Sequence, residues 1–269
     1  MFSDKTFVIT GASGGLGAAL ANELAGYKPN LVLFSRNIEK LQQTANDCME
    51  KKACVITVQG DVTNPDDCKR LADETIKTFG SVCHLVLNAG ISMWAEFDEV
   101  TSVSLFRKLI ETNYLSAVYL VHYFLPHLKK SKGLITAVSS IQGEIAVPYH
   151  SGYSASKHAL NGFLNTLRME IKDEGVDVMI VKPHWLRGTD LRANALGKNG
   201  TRIETDRKEH SKESISLQEC SKSILKGMVE RKRELVIPPK LKLLSWLNLF
   251  NPALVEKIVS AKMKKQILG

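Results

Sequence analysis

The sequence predicts an α/β fold in a single domain: a doubly wound, seven-stranded parallel sheet with helices on both faces. Three observations predict it. Seven short apolar runs, mostly free of charge, alternate with helix-like segments, as when crossover helices cover both faces of a sheet. The first run ends in a glycine-rich turn that opens a helix. The chain has 269 residues, 44% hydrophobic and 24% charged, which is the length and composition of one ordinary globular domain.

The runs lie at 7–9, 31–34, 55–58, 85–87, 134–138, 178–181 and 235–237. Between them the helix punctuation is legible. Asn64 reads as an N-cap with Pro65 at the first helical position, where a missing N–H costs nothing. Ser216 and Glu219 have capping-box spacing and open a helix running to about Arg231. Two long helical segments fall at about 102–128 and 152–173, and 197–213 mixes charges without periodicity and reads as a mobile loop. Residues 1–239 therefore read as one domain that includes a substrate loop at about 184–215, and 240–269 as a C-terminal extension.

The formal net charge is +8, of which +5 belongs to residues 240–269, where six lysines face one acid, Glu256. The remainder is nearly balanced, which argues against a nucleic-acid footprint. Five cysteines, with no Cys-x-x-Cys pair, argue against a disulfide framework or a zinc site, and the seven histidines show no ligand spacing. No metal is expected. Free thiols and the lack of an apolar leader point to the cytoplasm.

The extension crowds Leu241, Leu243, Leu244, Trp246, Leu247, Leu249 and Phe250 into ten residues. Asn251 and Pro252 then open a helix carrying Leu254, Val255 and Ile258 with Lys257, Lys262, Lys264 and Lys265. The run is too short to span a bilayer. Two readings stay open: an amphipathic segment lying in a membrane interface, or one folded over the substrate cleft or a partner subunit.

The turn after the first run is Thr10-Gly11-Ala12-Ser13-Gly14-Gly15-Leu16-Gly17, followed by a helical run. A pyrophosphate needs backbone amides at close range and a helix N-terminus aimed at its charge, which residues without side chains allow. Strand, turn and helix occur in the order a dinucleotide site requires. After the second run stand Ser35 and Arg36, with no acid before Glu39. A carboxylate there would favour NAD, whereas a guanidinium suits a 2′-phosphate, so NADP is expected over NAD.

Tyr153 and Lys157 are four apart on one predicted helix, so phenol and ammonium converge. A nearby cation favours the phenolate and draws the phenol toward general acid/base work. Ser140 stands thirteen residues upstream of Tyr153, at the end of the fifth run.

These motifs resemble the short-chain dehydrogenase/reductase family, hydroxysteroid-dehydrogenase-like members above all, over the chain up to about residue 190. The glycine loop alone fits both this family and the sugar-nucleotide epimerases, and the chain length favours the former. The resemblance implies a Rossmann fold and a hydride transfer between NADP(H) and a carbonyl or secondary alcohol. It implies that Gly11, Ser13, Gly14, Gly15, Leu16 and Gly17 with Ser35 and Arg36 hold the dinucleotide, together with Asp61 and Val62 at the adenine and Asn88, Ala89 and Gly90 after the fourth strand. It makes Tyr153 the general acid/base and Lys157 its partner and ribose contact. Ser140 becomes the residue that steadies the substrate oxygen, and Asn113 one that interrupts its helix to hold a relay water. Thr189 is implied at the nicotinamide carboxamide, although His184 replaces the usual glycine after Pro183 and the threonine falls one position late. Trp94 and Trp185, with Ile145 and Val147, are expected around an apolar substrate such as a steroid, retinoid or lipid. A homodimer or homotetramer through the two long helices is implied too. A dinucleotide-binding sensor without turnover is the alternative, and the intact Ser140, Tyr153 and Lys157 speak against it.

Overall fold

A computed structural model describes residues 2–189, 191, 194–203 and 214–268, without the side chains of 265–268. All seven expected strands form: β1 (Thr6–Thr10), β2 (Asn30–Ser35), β3 (Cys54–Gln59), β4 (His84–Leu87), β5 (Leu134–Val138), β6 (Asp177–Pro183) and β9 (Glu234–Ile237). They make one parallel sheet in the order β3-β2-β1-β4-β5-β6-β9. A separate two-residue pair, β7 (Leu186–Arg187) with β8 (Ile215–Ser216), closes the base of the segment after β6.

Strands covered on both faces must be apolar on both, which is why they read as unbroken runs. Along β1, Val8 turns to the face lined by Leu71, Phe124 and Leu164, while Phe7 and Ile9 turn to that lined by Leu20, Leu41 and Ile224. Helices α3 (Pro65–Phe79), α5 (Ser116–Ser131) and α6 (Ser151–Glu170) cover the first face. Helices α1 (Gly15–Ala25), α2 (Ile38–Glu50) and α7 (Leu217–Val229) cover the second. At the amino end of β4, the His84 ring stacks on Phe7 at 4.1 Å, and its Nδ1 is buried without a hydrogen-bond partner among the described residues.

The caps behave as their chemistry requires. Asn64 accepts from the Asp66 amide, and the Ser216–Glu219 box is complete in both directions. The first long helix is not uniform: α4 (Ser104–Ile110) passes through a π-helical turn at Glu111–Leu115 before α5 begins. Such an extra residue in the helical register is tolerated chiefly where it places a side chain. Here that side chain is Asn113.

The reading of 197–213 as a mobile loop needs correction over 197–203. Gly197 donates to the Thr201 carbonyl and Ile203 to that of Ala195, and Leu196 bridges Met93, so this stretch is held by backbone hydrogen bonds. Residues 204–213 lie outside the described residues. After β9, α8 (Leu241–Phe250) and α9 (Pro252–Leu268) fold back on the domain. Leu241, Leu244 and Leu247 pack with Val255 over Ile141, Ile145 and Val236.

Candidate active site

The chain leaves the middle of the sheet at β1, runs outward to β3 and returns at β4, so the connections of β1 and β4 diverge and open a crevice at their carboxyl ends. The glycine loop lines it. Helix α1 begins there with Gly14 at its N-cap and no side chain on its first amides, which leaves them for an anion. Gly15 takes φ +54°, and a Cβ on Gly17 would run into the Gly11 carbonyl oxygen and lie 2.6 Å from Asn88 Nδ2. Leu16 buries its side chain among the helix contacts, so only its backbone faces the crevice.

The loop is stitched to the end of β4. Thr10 Oγ1 accepts from the Asn88 and Ala89 amides, and Asn88 Nδ2 donates to the Thr10 carbonyl at 2.9 Å. Asn88 thus braces the cradle with its side chain. Ser13 is joined to Ser35 at the end of β2 by a 2.7 Å hydrogen bond between hydroxyls. Arg36, largely exposed, sits 3.7 Å from Asp61. Asp61 accepts from Thr63, and Val62 is buried in the core. Thr189 approaches the loop as well, since a Cβ on Gly15 would meet it at 3.9 Å. A glycine loop whose first helical amides carry no side-chain cap, with the exposed Arg36 at the end of β2, fits a dinucleotide. When bound, that group supplies or takes up a hydride.

Ser140, Tyr153 and Lys157 come together at the inner end of the crevice, all three buried. Ser140 caps a single 3₁₀ turn, Ile141–Gly143, its Oγ accepting from the Gln142 amide at 3.2 Å, and it shares a hydrogen bond with the Tyr153 phenol. Lys157 Nζ lies 5.8 Å from the Tyr153 ring centre and donates to the Val138 carbonyl. A Cβ on Gly90 would lie 3.1 Å from Asn113 Oδ1 and 3.7 Å from Lys157 Nζ, so the β4 end passes directly over this group.

The expected lowering of the Tyr153 pKa is not what the fold produces. Burial pushes the phenol up to about 12, opposed only by the Ser140 hydrogen bond, and burial alone pulls Lys157 down to about 8. Loss of solvation is the larger effect on both groups. The phenol holds its proton at neutral pH, as it would at its ordinary value of about 10, and burial holds it more firmly.

Asn113 is fixed on three sides. Its Oδ1 accepts from the Ile91 amide, and its Nδ2 donates to the Ile91 carbonyl and to Ser156 Oγ, each at 2.9 Å. Ser156, which the sequence reading passed over, then donates to the Tyr153 carbonyl and links the π-helical turn to α6. A void of about 10 Å³ touches Thr10, Asn113, Ser116 and Lys157.

The substrate end is only partly as expected. Trp94 packs on Tyr149 and meets His150 edge-on at 5.0 Å, and His150 in turn lies 6.4 Å from Tyr153. Trp94 lines a cavity of about 400 Å³ with Ala95 and Ile203, into which Glu99, Lys198 and Arg202 bring charged side chains. Trp185 lies at the exit of β6, its ring 5.9 Å from His184. Ile145 does not face a ligand, being buried beneath α8.

A parallel seven-stranded sheet with a glycine loop at its crossover crevice is the Rossmann class of α/β protein. The short chain dehydrogenase family profile matches residues 5–199. The chain belongs to the short-chain dehydrogenase/reductase family of oxidoreductases. It is similar to 11-beta-hydroxysteroid dehydrogenase-like 4A of Arabidopsis thaliana, 35% identical over 93% of this chain and 82% of that protein. It is likewise similar to 11-beta-hydroxysteroid dehydrogenase A of Arachis hypogaea, 34% identical over 94% and 73%. Two solved structures share the fold. One is a short-chain dehydrogenase/reductase from Burkholderia phymatum in complex with NAD (TM-score 0.80, 23% identity, 94% of this chain and 95% of that one). The other is an alcohol dehydrogenase from Thermococcus sibiricus complexed with 5-hydroxy-NADP (TM-score 0.73, 24% identity, 86% and 95%).

Proposed function

We propose that the protein moves a hydride between NADP(H) and a carbonyl or secondary alcohol of an apolar small molecule, of steroid, retinoid or lipid type. Tyr153 is the general acid/base. The observation that carries this is the buried convergence of Ser140, Tyr153 and Lys157 beside the glycine loop. The names of the hydroxysteroid dehydrogenase relatives favour the substrate class.

In reduction, Ser140 Oγ and the Tyr153 hydroxyl hold the substrate oxygen from two sides, and the Tyr153 proton passes to it as negative charge develops. Lys157 offsets the charge left on the phenolate and holds the nicotinamide ribose. The void beside Asn113 and Lys157 has roughly the volume of one water and gives a path for reprotonation. The loop amides of residues 13–17 take the pyrophosphate, and Asp61, Val62, Ala89 and Gly90 line the adenosine and ribose. Thr189 turns to the carboxamide, and Trp94 and Trp185 flank the substrate. The test is a panel of aldehydes and ketones, including cyclohexanone, acetophenone and steroid ketones, assayed with NADPH and NADH in parallel. Turnover of none would leave the sensor reading.

The NADP preference rests on Arg36. Arg36→Ala is expected to raise the NADPH Kd about 10- to 150-fold, the worth of one charge-assisted contact, while leaving the NADH Kd within about threefold. Fluorescence titration of both cofactors measures this. Equal losses would remove the basis for NADP.

We place the protein in the cytoplasm, where its five free cysteines stay reduced, as a homodimer or homotetramer through the half-buried Tyr119, Tyr123 and Phe163 of α5 and α6. We also propose peripheral contact with anionic lipid through the extension. Among the described residues no helix is long and apolar enough to cross a membrane. Yet the outer face of α8 leaves Leu243, Trp246, Leu249 and Phe250 each more than 60% exposed, beside the exposed Lys242. Sedimentation with phosphatidylserine vesicles is expected to pellet the protein, and Trp246→Glu with Phe250→Glu is expected to weaken binding about tenfold or more. Negligible pelleting of the unaltered chain would leave α8 a packing role only.

A further inference from the structure

The turn that carries Ser140 ends at Glu144, and this carboxylate is gripped from two directions that the reaction itself does not explain. On one side stands Lys182, the residue before Pro183 on β6, 3% exposed, paired with Glu144 Oε1 and also with Glu234 of β9 at 2.6 Å. On the other stands α8: Ser245 Oγ donates to Glu144 Oε2 at 2.8 Å, and Asn248 Nδ2 donates to the Glu144 carbonyl at 3.4 Å. Beneath them Ile141 and Ile145, from the same turn, are buried with Val236 and Val255. The four residues between Ser140 and Ile145 are thus held at both ends, by the catalytic hydrogen bonds and by a helix about a hundred residues later in the chain.

A buried ammonium without its carboxylates would be an uncompensated charge, so Lys182 has a strong reason to hold Glu144 where it is. The short turn leaves little slack. A shift of Glu144 carries Ser140 with it, and displacements of the order of 1 Å at a reacting group are costly to turnover.

We propose that Glu144 and Ser245 are positioning residues for Ser140, so that the C-terminal helix α8 sets the geometry at which the substrate oxygen is held. This rests on the reading of Ser140 given above. The contacts of Glu144 are with Lys182 and α8 rather than with the glycine loop, and neither residue is expected to alter dinucleotide affinity.

The test is a double-mutant cycle on the full chain, using the ketone or aldehyde of the panel above that is turned over fastest with NADPH. Glu144→Gln and Ser245→Ala are each expected to lower kcat about tenfold with KM and the NADPH Kd within about threefold, and Ser245→Thr, which keeps the hydroxyl, to restore most of the loss. In a Ser140→Ala background the same substitutions are expected to change kcat less than about twofold, because the group they position is gone. Because Ser245 lies on a peripheral helix, Ser245→Ala guards against a folding defect at Glu144, and amide exchange across 140–145 should quicken in both variants. Losses that are the same in both backgrounds, or a kcat within about twofold of the unaltered chain for both variants, would overturn the inference. A Ser140→Ala protein with full activity would overturn the reading of Ser140 first and this inference with it.

Discussion

Tyr153→Phe is expected to lower kcat by about four orders of magnitude or more, while NADPH binding stays within about threefold. The substitution removes one oxygen and leaves a ring of the same shape in a fully packed position, so Gly152 and Ser154 need not move. What disappears is the phenol proton beside Ser140. General acid catalysis alone is worth about 10²–10⁴-fold, and the variant also removes the phenol's hydrogen bond to Ser140. Single-turnover reduction followed by NADPH absorbance, with cofactor affinity measured separately, checks the result. A variant retaining more than a tenth of the parent kcat would take Tyr153 out of the proton transfer.

The second large effect is expected at Gly17. A methyl group there has no room: it would meet the Gly11 carbonyl and Asn88 Nδ2, and both are backbone or backbone-bound. Gly17→Ala should therefore push α1 away from the loop, cost about 1–3 kcal/mol of stability as overpacking does, and lower NADPH affinity by about a hundredfold. Gly14→Ala is the control. Its Cβ would meet nothing within 4 Å, and φ 174° is open to any residue, so the fold should keep its Tm. Any loss of NADPH affinity in that variant then reads the phosphate cradle alone. Thermal denaturation and fluorescence titration of the pair distinguish the two effects, and an unchanged Tm and Kd for Gly17→Ala would show that the close approach at Gly17 constrains neither the fold nor the cofactor.

What could be read from the sequence was local. The strands announced themselves because strands buried on both faces carry apolar residues without alternation, and Asn64, Pro65, Ser216 and Glu219 mark helix starts within four residues of themselves. The Tyr153–Lys157 pair is likewise set by one turn of helix. The direction of the Tyr153 pKa was not legible, because it depends on how completely the fold removes water from the phenol. Ile145 is expected with Trp94, Trp185 and Val147 around an apolar ligand, and only the return of α8 shows that it lies beneath a helix. Glu144, Lys182 and Ser245 meet across separations of 38 and 101 residues, for which no short-range pattern exists. Ser156 does carry a local signal, since it stands three residues after Tyr153 on the same helix and so faces the same side.

The stacked histidine at the amino end of β4 gives the fold an acid limit unrelated to the reaction. Burial, and secondarily the charges of Arg231 and Lys5, pull His84 down to about 3 from an ordinary value of 6.5. The folded chain thus refuses a proton that the unfolded chain accepts. Above about pH 6.5 both states are neutral there and nothing is at stake. Between about 6.5 and 3 the unfolded state binds more protons, so stability falls as pH falls, by as much as about 1.4 kcal/mol for each pH unit. Urea denaturation from pH 7.5 to 4.5 should show that slope, and His84→Phe, which keeps the stack on Phe7, should flatten it. An equal slope in both proteins would assign the acid sensitivity to other groups.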